Sequence, residues 1–234
     1  MTIYTETAEL RLAEQQIRTA LAEKEILLRE VHHRVKTNLA VVSSLLYLQA
    51  SASQDERVQT AFADCQRRIQ TMALIHEQIY RSQDLARIEM GSFLAKLADD
   101  LSFAFSSRGA NFLLEVKDIE ICLDQAIPCG LIINELVTNA LKFAFPVVSP
   151  GQKNIISVSL CKQDGRCILK VGDNGVGLPA GFPGGPTGGL DRKRPKRLGW
   201  KLVNRLADQL GGAVEVESAP GRGTSFRISF PLTV

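Results

Sequence analysis

Residues 1–90 contain neither glycine nor proline, and this constrains the fold more than any other feature of the chain. Residues 5–30 are rich in Ala, Glu, Gln, Lys, Arg and Leu, with Leu10, Ile17, Leu21 and Leu28 at near-heptad spacing. This pattern predicts a long amphipathic helix of the kind that forms coiled coils. Since nothing interrupts it, we expect the helix to continue into "LLREVHHRVKTNLAVVSSLLYLQ", residues 27–49.

A helical hairpin follows from the next segment. The polar stretch "SASQDE", residues 51–56, predicts a bend, and a second helix is expected over about 56–82. Two antiparallel helices bury their apolar faces poorly alone, so we expect a homodimer in which two hairpins form a four-helix bundle.

The pattern changes after Gly91 to alternating helices and strands. A helix is predicted over 92–106, another from Pro128 through "IPCGLIINELVTNALKFAF", and a third through "LGWKLVNRLADQLGG", ending at Gly211. Strands are predicted at "NFLLEV", "IISVSLC", "RCILKV", "AVEVES" and "TSFRISF", with Asp164-Gly165 as a hairpin turn. The expected fold class is α+β: a helical hairpin followed by an α/β sandwich.

Composition excludes several functional classes. A net charge of +3 does not argue for nucleic-acid binding without a clustered patch, and no apolar run is long enough for a membrane span. No signal peptide opens the chain, so a cytoplasmic location is expected. The cysteines are odd in number, lack metal-ligand spacing, and are interpreted as reduced core thiols: Cys65, Cys122, Cys129, Cys161 and Cys167.

The adjacent histidines point in different directions on a helical wheel. The apolar residues Leu28, Val35, Leu39, Val42 and Leu46 cluster on one face, which we expect to be buried. On that wheel His32 falls on the flank of the face, whereas His33 falls about 160° from its centre. The helix alone therefore predicts a packed His32 and an ordinary exposed His33.

Three stretches in the second half carry charge or glycine where a plain core would not. Glu135, Asn139 and Lys142 share one helix face, and their carboxylate, amide oxygen and ammonium suit a Mg²⁺–phosphate group. "VGDNGVGLPAG", residues 171–181, places Asp173 after a strand in a glycine-rich turn. "RLGWKLV" places Gly199 at a helix start, where phosphate meets free N–H groups. Taken singly, each also fits an ordinary solvated surface.

Together with "GRGTSF", these stretches resemble the N, G1 and G2 boxes of the GHKL-type (Bergerat) ATPases, which include histidine kinases, gyrase B, Hsp90 and MutL. "EVHHRVK" resembles the H-box of an HWE-related subclass of bacterial sensor histidine kinases. "RIQTMALIHEQIY", residues 68–80, resembles the second helix of that subclass. The resemblance covers about residues 26–234.

The resemblance implies domains at 1–25 (signalling helix), 26–88 (dimerisation and histidine phosphotransfer) and 89–234 (catalytic, ATP-binding). It implies ATP-dependent autophosphorylation, with Mg²⁺, and phosphotransfer to an aspartate on a response-regulator receiver domain. His33 matches the phosphoacceptor, and His76 is interpreted as a packing residue. The other implied site residues are Glu135 and Asn139 (Mg²⁺), Lys142 (phosphate), Asp173 (adenine), Gly175 and Gly177 (G1 turn), Gly199 (lid helix) and Thr224 (near adenine).

The chain departs from the pattern of classical histidine kinases at Arg34, as the subclass does, and from the pattern of the subclass at Thr37 and in the lid. Arg34 stands where these kinases have an acidic residue, so Glu30, one turn earlier, is a candidate to orient or deprotonate His33. Thr37 replaces the usual Asn. The lid is long and basic, suited to a triphosphate or to an acidic partner, through Arg192, Lys193, Arg194, Lys196 and Arg197.

Two other functions fit parts of the sequence. A histidine phosphotransferase or scaffold of this architecture would need no ATP, and a GHKL serine kinase would need no histidine hairpin. The residues before the H-box are too few for a typical sensor module. We therefore expect either a missing input domain or a separate sensor partner. Cis and trans autophosphorylation both remain open, as do monomers and tetramers.

Overall fold

A helical hairpin forms the first part of the computed structural model, which describes residues 2–81, 87–105, 109–116, 119–146, 153–179 and 198–233. Helix α1 spans Thr2–Ala52 and α2 spans Glu56–Arg81. Residues 53–55 break the helix, and Asp55 Oδ1 accepts from the backbone N–H of Arg57 at 2.8 Å, which caps α2. The predicted long helix, bend and second helix are confirmed.

The two helices contact each other along the hairpin in antiparallel register. Gln66 Nε2 donates to the carbonyl oxygen of Ser43 at 3.0 Å, near the bend. Further down, Lys36 Nζ pairs with Glu77 Oε2 at 3.1 Å. These contacts fix which residues of α1 and α2 lie at the same level.

The contact face of α1 differs in part from the wheel. Val35, Leu39 and Leu46 are half-buried as expected, but Leu28 and Val42 are exposed in the single chain. Among the side chains of α1 that the structure describes, His32 alone is buried. It lies inside the contact with α2 rather than on its flank, because α2 covers only part of the apolar face.

The second part is a sheet covered by helices. The helices are α3 (Met90–Ala104), α4 (Leu123–Phe143) and α5 (Leu198–Gln209). The strands are β1 (Arg87–Glu89), β2 (Ala110–Val116), β3 (Glu120–Cys122), β4 (Asn154–Gln163), β5 (Arg166–Asp173), β6 (Ala213–Ser218) and β7 (Thr224–Pro231).

The main sheet has the strand order β2-β4-β5-β7-β6. The pair β2–β4 is parallel and the other neighbours are antiparallel. Asp164 and Gly165 join β4 to β5 with φ values of 50° and 73°, as a two-residue hairpin of type I′ requires. The helix layer packs on the apolar face of this sheet, so the expected α/β sandwich is confirmed.

Helix α2 contributes to the same hydrophobic core. Leu74 and Ile75 are buried with Phe93 of α3. A Cβ added to Gly130 of α4 would lie 2.8 Å from Phe93 Cζ and 3.0 Å from Ile75 Cδ1. The lower half of the hairpin is therefore packed tightly on the helix layer of the sandwich.

Helix α4 begins earlier than predicted. It starts at Leu123, so Pro128 lies inside the helix rather than at its first turn. Tertiary contacts hold the extra turn, since the Gln125 side chain donates to the carbonyl oxygen of Pro231 at 2.7 Å and accepts from Thr233 N at 3.1 Å.

Two short strands and the cysteines also differ from expectation. β1 pairs with β3 in a separate two-stranded sheet that the sequence did not predict. Cys161 is exposed because its side chain lies on the sheet face away from the helices, so the interpretation of five core thiols is wrong for this residue. Cys129 and Cys167 are buried as expected.

Among the described helices, none combines the length and the apolar character that crossing a membrane requires.

Candidate functional site

Helix α4 presents the predicted polar face. Glu135 is buried, whereas Asn139 and Lys142 are half-buried one and two turns further along. Between them, the hydroxyl of Thr138 is the described buried side-chain oxygen without a hydrogen-bond partner in the structure. A buried hydroxyl without a partner on this part of α4 indicates a place that water or a polar ligand would complete.

Gly199 brings the start of α5 against this face. A Cβ added to Gly199 would lie 2.7 Å from Glu135 Oε2 and 3.7 Å from Asn139 Nδ2. Any side chain at this position would push against the carboxylate. The structure thus places Glu135, Asn139 and Gly199 together.

An arginine from the hairpin occupies the Glu135 carboxylate. Arg68 Nε donates to Glu135 Oε1 at 2.7 Å, and Arg68 Nη2 donates to Glu135 Oε2 at 3.0 Å. The contact is bidentate, and neither side chain is more than 18% exposed. It places a guanidinium between α2 and the predicted metal ligands.

A second ion pair occupies Lys142. Its Nζ donates to Asp64 Oδ1 at 2.6 Å, and Arg67 donates to the same oxygen. Burial and the nearby Arg67 guanidinium lower the pKa of Lys142 to about 8. The carboxylate of Glu135 acts in the opposite direction and raises this pKa.

The turn after β5 contains the predicted aspartate. Asp173 Oδ1 accepts from the backbone N–H of Gly175 at 2.9 Å. Burial raises the pKa of this carboxyl, while the N–H groups of Gly175 and Thr224 act to lower it. Asp173 is thus a partly desolvated carboxylate fixed at the end of a strand.

Glycine at position 175 brings this turn to the end of α4. Val176 N donates to the carbonyl oxygen of Ala144 at 3.0 Å, and a Cβ on Gly175 would collide with that same oxygen. Because Ala144 directly follows α4, the Asp173 turn and the α4 face belong to one continuous region.

Thr224 lies opposite Asp173 on the neighbouring strand. The two residues are register partners in β7 and β5, and Thr224 is buried. Ser218 Oγ contacts Thr224 Oγ1 at 3.2 Å, donates to the carbonyl oxygen of Gly223 at 3.0 Å and accepts from Leu178 N at 2.8 Å. Gly177 lies in the glycine-rich turn after β5 and has a φ of 81°.

His33 lies apart from these residues on an exposed face of α1. Glu30, its candidate partner, accepts from Arg34 Nε at 2.7 Å, which lowers the pKa of Glu30. Its described hydrogen bond is therefore to Arg34 rather than to His33.

His32 points into the hairpin. Its Nδ1 lies 3.1 Å from His76 Nδ1, with ring centroids 5.4 Å apart. Burial lowers the pKa of both imidazoles, and the charge of His32 adds to the effect at His76. His76 packs as the sequence suggested.

Sequence reasoning missed the contribution of α2 to the site. Arg68 opens the segment "RIQTMALIHEQIY", but neither Arg68 nor Asp64 was given a role, because helix periodicity does not reveal contacts with a distant element. Ser218 and Gly223 were also missed, although Gly223 lies within "GRGTSF" and Ser218 lies just before that stretch. The basic residues Arg192, Lys193, Arg194, Lys196 and Arg197 lie outside the described residues.

Two family models match most of the chain. One, described as histidine kinase, matches residues 30–105. The other, described as histidine kinase-, DNA gyrase B-, and HSP90-like ATPase, matches residues 124–234.

Curated relatives and solved structures agree with these matches. Sensor histidine kinase PdtaS of Mycobacterium tuberculosis is 29% identical over 217 residues, covering 91% of this chain and 41% of PdtaS. Blue-light-activated histidine kinase 2 of Erythrobacter litoralis is 27% identical over 214 residues, covering 88% of this chain and 57% of that protein.

The histidine kinase domain of the Erythrobacter litoralis EL346 blue-light activated histidine kinase shares the fold, with a TM-score of 0.61 and 24% identity. The match covers 88% of this chain and 90% of that domain. The chain spans about two fifths of the length of PdtaS. By the two family models and its relatives, the chain belongs to the histidine kinases and carries a GHKL-type ATPase domain.

Proposed function

We propose that the chain autophosphorylates on His33 using ATP and passes the phosphoryl group to an aspartate of a response-regulator receiver domain. The observation that carries the proposal is the convergence of Glu135, Asn139 and Gly199 at one end of a region whose other end holds Asp173 and Thr224. An exposed imidazole on the preceding hairpin supplies the acceptor.

The donor set suits the proposed ligands. The carboxylate of Glu135 and the amide oxygen of Asn139 are hard oxygen ligands that would hold Mg²⁺, which neutralises charge on the phosphates. Lys142 would contact phosphate, and the Asp173 carboxylate would accept from the exocyclic amine of adenine. The start of α5 at Gly199 would offer free backbone N–H groups to phosphate oxygens.

ATP would donate its γ-phosphoryl group to His33. An imidazole nitrogen of His33 attacks the γ-phosphorus, a P–N bond forms, the bond to the bridging oxygen breaks, and ADP leaves. The imidazole proton passes to solvent or to a nearby carboxylate such as Glu30. The receiver carboxylate then attacks phosphorus, the P–N bond breaks, and the departing imidazole of His33 takes up a proton from solvent.

Dimerisation is part of the proposal. Ile17, Leu21, Val31, Val41 and Leu45 are apolar and more than half exposed on α1. A second copy of the hairpin would cover such a surface in a four-helix bundle. A sensor, in the same protein or in a partner, would act on α1.

Labelled ATP tests the proposed acceptor. The full chain, incubated with ATP labelled at the γ-phosphate and Mg²⁺, should incorporate label that is acid-labile and alkali-stable. His33→Ala should abolish the label, because no nucleophile remains at that position. His32→Ala should retain it, although loss of the His76 contact should destabilise the fold by about 1–3 kcal/mol.

Label that survives in a folded His33→Ala protein would refute the acceptor assignment. Acid-stable label would instead indicate a serine or threonine kinase. Thermal melting of both variants separates a lost acceptor from a lost fold.

A histidine phosphotransferase or scaffold is the second candidate function. The engagement of Glu135 and Lys142 by α2 favours it, since both side chains are paired within the chain. Calorimetric titration with ATP and Mg²⁺ separates the two functions. The kinase binds nucleotide and loses affinity in Asp173→Asn. A scaffold binds nucleotide in neither form, and also not when the contacts of α2 with Glu135 and Lys142 are removed.

A further inference from the structure

Helix α2 packs along α4 in antiparallel register and contacts it at three levels. Asp64 pairs with Lys142 at 2.6 Å, Arg68 with Glu135 at 2.7 Å, and Ile75 meets Gly130. The first two contacts are ionic and the third is apolar. We call the first two the α2–α4 ion pairs.

These ion pairs place charges of the wrong sign for a bound metal–phosphate group. The guanidinium of Arg68 lies against both oxygens of Glu135, where a divalent cation would be repelled. The carboxylate of Asp64 holds the Lys142 ammonium, so phosphate would have to displace Asp64 to reach it. If Arg68 served only to orient Glu135, the neighbouring pair of Asp64 with Lys142, in which α2 supplies the acid and α4 the base, would not be needed.

The position of His33 supports the same interpretation. His32 contacts His76, so His33 lies near the level of residue 76 on α2. Arg68 is eight residues away on that helix, and the Glu135 level is therefore displaced from His33 by about 12 Å along the axis. Direct attack needs the reacting atoms about 3–3.5 Å apart. In this arrangement His33 therefore lies at a different level of the hairpin from Glu135.

We propose that the α2–α4 ion pairs hold the kinase in a closed state, in which Arg68 and Asp64 compete with Mg²⁺ and phosphate for Glu135 and Lys142. The inference rests on the proposed ATP site. Opening requires only that the upper part of α2 leave α4. The ion pairs are partly exposed, with side chains 10–33% accessible, whereas Leu74 and Ile75 below them are fixed in the core. The apolar contact is therefore the pivot, and the position of the hairpin controls access to nucleotide.

Calorimetry on the full chain tests this competition. The probe is a non-hydrolysable ATP analogue with Mg²⁺, titrated into wild type, Asp64→Asn, Arg68→Gln and the double variant. Releasing the closed state should tighten binding by about threefold to tenfold, because the competent fraction of molecules rises. Adenosine, which carries no phosphate, should bind all four proteins equally.

Two controls isolate the charge effect. Asp64→Glu keeps the charge and should keep wild-type affinity. Arg18→Gln removes an exposed ion pair within α1, Glu14–Arg18 at 2.8 Å, and should change nothing. If melting shows that Asp64→Asn does not fold, the other two variants still test the proposal. Arg68→Gln should bind the analogue more tightly, and Asp64→Glu should bind it with wild-type affinity.

The outcomes separate the two proposals. Wild-type protein that binds the analogue, with equal or weaker binding in folded Asp64→Asn and Arg68→Gln, overturns the closed state and leaves the ATP site intact. Weaker binding in Arg68→Gln alone would make Arg68 a positioning residue for Glu135. No binding by any protein, the double variant included, overturns both proposals. Binding that appears or tightens in the variants supports both.

Discussion

At the scale of single residues, the contact between His32 and His76 sets the direction of His33. With two Nδ1 atoms 3.1 Å apart, one ring must donate and the other accept, so at most one Nδ1 carries a proton. A second proton would break the contact. Since His32 is fixed inside the hairpin, its neighbour is held outward.

Acidification should therefore weaken the hairpin. The pKa of both imidazoles is lowered by burial, so below about pH 6.5 the unfolded chain binds more protons than the folded one. The free energy of unfolding should fall with decreasing pH, by at most about 1.4 kcal/mol per pH unit for each imidazole. Charged neighbours of the pair are Glu77 with Lys36 and Lys96.

Denaturant unfolding at pH 7.5 and pH 5.5 measures the effect. The matched variant His76→Asn keeps a short polar side chain but does not titrate, so its stability should change less over this range. Equal pH dependence in both proteins would assign the loss to carboxylates elsewhere.

At the scale of elements, the contact between the Asp173 turn and the end of α4 depends on Gly175. Gly175→Ala should destabilise the fold by about 1–3 kcal/mol, since the new methyl group overpacks against the carbonyl oxygen of Ala144. It should also weaken nucleotide binding, because Asp173 moves with the turn.

Gly165→Ala, in the turn at the other end of β5, is the matched control. Nothing lies within 4 Å of the added Cβ, although φ of 73° is unfavourable for alanine. It should cost about 1 kcal/mol without changing nucleotide affinity. Thermal melting and calorimetry of both variants decide; equal nucleotide affinity in the two would show that the turn does not position Asp173.

Elements with a strong local signal were predictable from the sequence. The hairpin followed from the absence of Gly and Pro up to residue 90 and the polar break at 51–56, and the main strands followed from alternation and Asp164-Gly165. β1 and β3 have three residues each, too few for a period to register, and they pair across α3 and β2. The early start of α4 depends on Gln125 reaching the end of β7.

The candidate site was predictable only on the side of α4 and the glycine turns. Glu135, Asn139, Asp173 and Gly199 lie in short motifs, so the sequence displays them. Arg68 and Asp64 reach the site from a helix whose own pattern is that of a hairpin. Such ionic contacts depend on the tertiary arrangement, which periodicity does not encode.

At the scale of the whole molecule, the hairpin and the sandwich share a core through α2. Ile75 is fully buried between α3 and α4. Ile75→Ala should lower the free energy of unfolding by about 2–5 kcal/mol and shift a single cooperative transition.

Val58→Ala, on the exposed part of the same helix, should change the free energy of unfolding by less than about 0.5 kcal/mol. Helical signal by circular dichroism comes mostly from α1 and α2, whereas tryptophan fluorescence from Trp200 in α5 reports the sandwich. If Ile75→Ala shifted only the helical signal, the hairpin would unfold independently and would not share its core with the sheet.

The length of α1 has a mechanical consequence. A single unbroken helix of 51 residues spans about 75 Å, and it carries His33 rigidly at a fixed angle to its first turns. A torque applied near residue 10 therefore reaches the histidine as rotation. One residue inserted between them would turn the exposed imidazole by about 100°, whereas seven would return it nearly to its original direction. This helix can therefore transmit a rotation about its axis more readily than a change in length.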